Sequence, residues 1–252
     1  MRSPVFCIRL SIACGAAVSM LSGCGTVGGS GVTDQVVVSP PALGAVPPST
    51  HEGAASVSVG LPGLGPRTSA SIPEESEQVV LVTGDGINSS QSTVVLYDRT
   101  ASGWQAGSVW RAHNALKGWT EDHHLNDLRS PIGVFRLTDA GGLLPDPGSR
   151  LPYNRSNAFT VGGDGFEGEP LAGSFDYVVA INYNRAAGTS PLDWTRPLGA
   201  ERGGGIWLHV DHGGPTHGCV SLPKDHMKAL LLALDPARHP VIVMGDAGSL
   251  AR

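Results

Sequence analysis

Past Cys24 the 252-residue sequence contains a single cysteine, Cys219, because the other three, Cys7, Cys14 and Cys24, all lie in the first segment. A chain of this length can bury one sizeable core without disulfide help. Dense basic runs are also missing: 17 Lys plus Arg stand against 22 Asp plus Glu, for a formal net charge of -5. That balance excludes the basic patch a nucleic-acid partner would require. Beyond the N-terminus there is no apolar run long enough to span a bilayer.

The N-terminal segment is organised differently. Arg2 and Arg9 precede an apolar stretch from Leu10 to Leu21 that is too short to cross a membrane comfortably, the pattern of a secretory signal over 1–23. It ends in Leu21-Ser22-Gly23-Cys24, which resembles the bacterial lipobox, so Cys24 is the expected lipidation site. The expected location is the outer face of the cytoplasmic membrane and the cell wall, with the membrane engaged through the N-terminal lipid. An ordinary cleaved signal or a short anchor is the alternative. Residues 24–77, rich in Gly, Pro, Ser, Ala and Val and without sustained periodicity, read as a flexible tether, and residues 78–252 as the folded domain.

Within that domain Val79 to Val82 and Thr93 to Asp98 predict strands, and Trp104 to Arg111 a weaker third. Ile132 to Thr138 restarts the pattern before a Gly141-Gly142 turn. Pro152 to Pro170 reads as a long loop, and Phe175 to Tyr183 as a central strand buried on both faces. Val241 to Met244 predicts the last strand. Met227, Leu230, Leu231 and Leu234 recur at helical spacing between Pro223 and Asp235-Pro236. Many strands with one short helix after Cys219 predict a mainly β domain, a sandwich or partly open barrel.

The chemistry concentrates in Gly205 to Pro223. Ile206, Leu208 and Val210 alternate with Trp207, His209 and Asp211, the period of a strand, and Gly213-Gly214-Pro215 then turns the chain back towards it. A histidine and the lone thiol can meet at that return. An imidazole within reach of a thiol can take its proton and leave a nucleophile for acyl transfer. Gly218 would let a substrate approach closely, and backbone N–H groups around Gly218 and Cys219 could hold an oxyanion. Taken alone, a lone cysteine is more often a small buried hydrophobe. A zinc site from His209, His212, His217 and Cys219 is a third reading, although the spacing fits no common zinc pattern. His113, His123 and His124 read as solvated loop residues.

His209 followed by Thr216-His217-Gly218-Cys219-Val220 resembles the signature of the YkuD-type L,D-transpeptidases, and Asp127 to Phe135 and Phe175 to Asn184 are similar to the family's upstream strands. The resemblance implies action on peptidoglycan stem peptides, with Cys219 as nucleophile, His209 as base, the Val210 carbonyl as the group that orients His209, and no cofactor or metal. Thr216, His217, Gly218, Val210 and Ser221 would line the site. Hydrolysis of the same thioester, an L,D-carboxypeptidase activity, and a non-catalytic wall- or metal-binding lipoprotein are the alternatives. The sequence departs from the family at two places. Only Val210 to Pro215 separate His209 from Thr216, which leaves open which histidine is the base. Ser221 stands where many members carry arginine, so Arg129, Arg185 and Tyr183 become the candidate substrate contacts. The oligomeric state has no signature in the sequence.

Overall fold

A computed structural model describes residues 57–252, so the expected signal segment, Cys24 and the tether up to residue 56 lie outside the described residues. The described residues open with β1 (Val57–Ser58) and α1 (Pro66–Ala70), then run through β2 (Gln78–Gly84), β3 (Gln91–Thr100) and β4 (Gly103–His113). Two short strands, β5 (Trp119–Thr120) and β6 (Ser130–Pro131), pair with each other. After them come β7 (Gly133–Gly142), β8 (Tyr153–Arg155), β9 (Val178–Ile181), β10 (Trp207–Val210) and β11 (Val220–Leu222). Helix α2 (Lys224–Ala233), β12 (Val241–Asp246) and α3 (Ala247–Leu250) complete the fold.

The protein is mainly β. The main sheet runs in the order β1-β4-β11-β10-β9-β7-β12-β2-β3, and because β3 also pairs with β4 the sheet closes on itself as a barrel. Closure removes most of the exposed strand edges that an open sheet would have to protect. β2 and β12, neighbours in parallel register, show why their sequences are continuous apolar runs. Val80, Val82, Ile242 and Met244 enter one core cluster, to which α2 contributes Met227, Leu230 and Leu231. Their alternates Val79, Leu81, Val241 and Val243 enter a second cluster on the opposite face.

That second face corrects the expected tether boundary. Residues 57–77 are folded onto the domain: Leu61, Leu64 and Ile72 pack against the second cluster. The Gly65 N–H donates to the Leu250 carbonyl at 2.8 Å, and the Arg67 and Thr68 N–H groups donate to the Arg252 carbonyl. The apolar residues of this stretch are too widely spaced among Gly, Pro and Ser to show a period, yet they cover strand surface that would otherwise face water.

Two further boundaries move. Gly141-Gly142 lies inside β7 instead of turning the chain, since β7 passes between β8 and β9 there. A Cβ at Gly141 would fall 2.5 Å from the Asn154 carbonyl oxygen, so only glycine fits the close approach. The central strand spans Val178–Ile181 alone, fully buried between β7 and β10. Phe175 and Tyr183 fall in the flanking turns.

Candidate active site

β10 carries His209 and β11 begins immediately after Cys219. The two strands are parallel, with Leu208 beside Val220 and His209 beside Ser221. Leu208 and Val220 are fully buried in the barrel core. Alternation therefore sends Trp207, His209 and Cys219 to the other face, beneath the segment that joins β8 to β9. Val161, Leu171, Ser174 and Phe175 of that segment enclose a cavity of about 160 Å³ with His209, His212, Thr216, His217 and Cys219.

The turn that delivers Cys219 is fixed by its own residues. The Thr216 hydroxyl donates to the Cys219 carbonyl at 2.7 Å, closing Thr216-His217-Gly218-Cys219 into a tight turn. The Thr216 N–H donates to the Asn114 carbonyl, and the Leu116 N–H returns to the Thr216 carbonyl, which ties the turn to the end of β4. At Gly218 a Cβ would lie 3.0 Å from Ile206 Cδ1, so the absent side chain lets the turn press against the base of β10.

His209 is buried, and its Nδ1 donates to the Val210 carbonyl at 2.9 Å. A carbonyl only accepts, so the neutral ring presents Nε2 as its acceptor. Burial drives the imidazole down to about 4, with the Val210 carbonyl opposing the shift. Phe175 meets the ring edge-on at 5.4 Å. Cys219 keeps a partial opening to solvent, yet crowding by neighbouring atoms pushes its thiol up to about 11 against the opposing pull of the Trp207 N–H. That N–H donates to Sγ at 3.4 Å, and the thiol donates to the Gly205 carbonyl at 3.7 Å. The thiol and His209 share the cavity without a direct hydrogen bond.

The other sequence candidates divide. His217 lines the cavity and is exposed, with its ring 4.6 Å from that of Phe166. Val210 contributes its carbonyl, while its side chain is in the core. Ser221 does not line the cavity: it is fully buried and donates to Asp211 Oδ1 at 2.7 Å. The three candidate substrate contacts are engaged by other groups of the fold. Arg185 is held at 2.9 Å by Asp139, with side-chain exposures of 2% and 5%, and its remaining donors go to Asn182 and Thr189. The Tyr183 hydroxyl donates to the Arg202 carbonyl at 2.9 Å, and its ring is buried against His123 and Phe135. The Arg129 guanidinium donates to the Trp119 carbonyl and to Asn88 Oδ1, both at 3.0 Å. None of these three side chains lines the cavity.

Two histidines read as solvated are held by the fold. His123 is buried beside Gly203 and Gly218. His113 donates from Nδ1 to Asp211 Oδ1 at 2.8 Å, and that hydrogen bond holds its ring above the ordinary imidazole range. Glu169 was invisible in the sequence. Its carboxylate accepts from His212 Nδ1 at 3.0 Å across 43 residues, and nothing in a Gly-rich loop marks it out. Among the described residues no three His, Cys, Asp or Glu side chains converge as a metal site.

Fold and site together define a mainly β domain in which one thiol and a carbonyl-oriented imidazole open into the same covered cavity. The family model described as the L,D-transpeptidase catalytic domain, YkuD, matches residues 89–243, and the chain belongs to that family. No curated protein matches the chain. A solved structure, that of Bdellovibrio bacteriovorus Bd1075, is similar over 68% of this chain at 17% identity and a TM-score of 0.37. The chain spans about half of that structure, 48% of its length.

Proposed function

We propose that this protein is an L,D-transpeptidase acting on peptidoglycan stem peptides through a Cys219 thioester. The observation that carries the reading is the placement of Cys219 and His209 in one cavity, inside a chain that belongs to this family. His209 Nε2 takes the thiol proton as Sγ attacks the carbonyl of the diamino acid. The C–N bond to the terminal D-residue breaks, and the proton passes to the leaving amine. Because the thiol proton rests on the Gly205 carbonyl, the step begins with rotation about Cβ–Sγ. Val210, through its carbonyl, keeps the ring in the tautomer that exposes Nε2. An amine of a neighbouring stem then attacks the thioester and restores the thiol. Water in place of that amine would give the L,D-carboxypeptidase product.

The low intrinsic thiolate content that crowding imposes makes the paired base necessary. Incubation with a carbapenem followed by intact mass measurement tests the assignment. One covalent adduct is expected, absent in Cys219→Ala. An unmodified wild-type protein would contradict the reading.

We also propose that Cys24 is lipidated after removal of residues 1–23, tethering the domain to the outer face of the membrane. The Leu21-Ser22-Gly23-Cys24 motif supports this. Mass spectrometry of the mature N-terminus is expected to find a lipid-modified Cys24, and an unmodified terminus would refute it.

A further inference from the structure

A second imidazole opens into the cavity, and it is built into place from the covering segment. His212 lies just past the end of β10, and Nδ1 donates to Glu169 Oε1 at 3.0 Å, with side-chain exposures of 5% and 11%. Glu169 is itself seated: its other oxygen accepts from the Glu167 N–H at 2.8 Å. Its carboxylate also fills the space left by two glycines, since a Cβ at Gly165 or Gly214 would fall 1.9 or 2.2 Å from Oε1. The His212 ring stacks parallel to that of His209, with centroids 5.9 Å apart and an interplanar angle of 11°.

A carboxylate only accepts, so the His212 proton is on Nδ1 and the neutral ring presents Nε2. An imidazole with one nitrogen fixed by a carboxylate, in a cavity that also holds a nucleophile, has the relation of base to orienting group used in acyl transfer. Resting on the transpeptidase reading, we propose that His212, oriented by Glu169, is the acid–base group for the acceptor half of the reaction, while His209 serves the acylation half. As the acceptor amine attacks the thioester carbonyl, the N–C bond forms and the C–S bond breaks. The proton leaving nitrogen goes to His212 Nε2 and returns to the Cys219 sulfur, so the enzyme ends as it began.

The division follows from the surroundings. His209 is buried, has a neutral carbonyl for its partner, and its cation is disfavoured by that burial. His212 has a carboxylate in contact where His209 has only a carbonyl, the arrangement that compensates positive charge developing on a ring as it takes up a proton. Glu169 from the covering segment and His209 from β10 are in contact with it, and His217 and Cys219 line the same cavity. Its neighbour Asp211 is engaged elsewhere, by His113 and Ser221.

Single-turnover kinetics with a stem tetrapeptide donor and a D-amino acid acceptor, read by intact mass, separate the two halves. In His212→Gln, acylation of Cys219 is expected to fall by less than about threefold while transfer to the acceptor falls at least about a hundredfold, so that acyl-enzyme accumulates. Glu169→Leu, which leaves no acceptor, is expected to slow the same half and to lose the preference of His212 for the Nδ1–H tautomer seen by nitrogen NMR. Equal slowing of both halves in His212→Gln, or a Glu169→Leu protein with unchanged tautomer and transfer, would overturn the assignment. A wild-type protein that forms no acyl-enzyme would overturn the transpeptidase reading itself, and it would do so before any variant is measured.

Discussion

The Thr216 hydroxyl donates to the Cys219 carbonyl at 2.7 Å, and this hydrogen bond sets where the thiol stands. Ser130 Oγ reaches the same carbonyl only at 3.4 Å, so it is a weak substitute. Thr216 is buried, and valine would match its shape while removing the donor. Thr216→Val is expected to cost about 1–2 kcal/mol in urea denaturation and to slow carbapenem acylation, with Thr216→Ser retaining most of both.

A buried neutral imidazole makes stability depend on pH. His209 falls from an ordinary 6.5 to about 4 in the folded protein, so between those values the unfolded chain binds the extra proton. Stability from this residue is therefore complete above about 6.5 and is lost as pH drops towards about 4, by about 3 kcal/mol. Denaturant titrations across that range are expected to show a steeper acid loss in wild type than in His209→Gln. Parallel curves would contradict the burial argument.

Arg185 is expected to act on stability and not on substrate. Its ion pair with Asp139 is nearly inaccessible to solvent, and removing one partner leaves a buried charge uncompensated. Arg185→Ala is expected to destabilise the fold by about 3–5 kcal/mol. Below the melting transition its KM for a tetrapeptide donor should match wild type. A raised KM with unchanged stability would return Arg185 to the substrate site.

Much of this architecture was legible in local pattern. The strands at Val79 to Val82 and Val241 to Met244, the helix through Met227 and Leu231, and the return of Cys219 towards His209 all follow from periodicity and turn residues. What escaped depends on contacts between distant segments. Closure through β3 and β4 and the packing of Leu61 and Leu64 on the second core face leave no periodic trace. Arg129 and Arg185 looked available because an arginine's partners cannot be read from its neighbours, and Glu169 went unnoticed because its partner, His212, lies 43 residues away.

Digestion of purified disaccharide tetrapeptide with mass readout decides whether Cys219 transfers the acyl group, since cross-linked dimer and released tripeptide report transpeptidation and hydrolysis in one experiment. Wild-type protein is expected to give dimer and a transient acyl-enzyme on Cys219, and Cys219→Ala neither. An untouched substrate and unmodified wild-type protein, or equal turnover by Cys219→Ala, would contradict this.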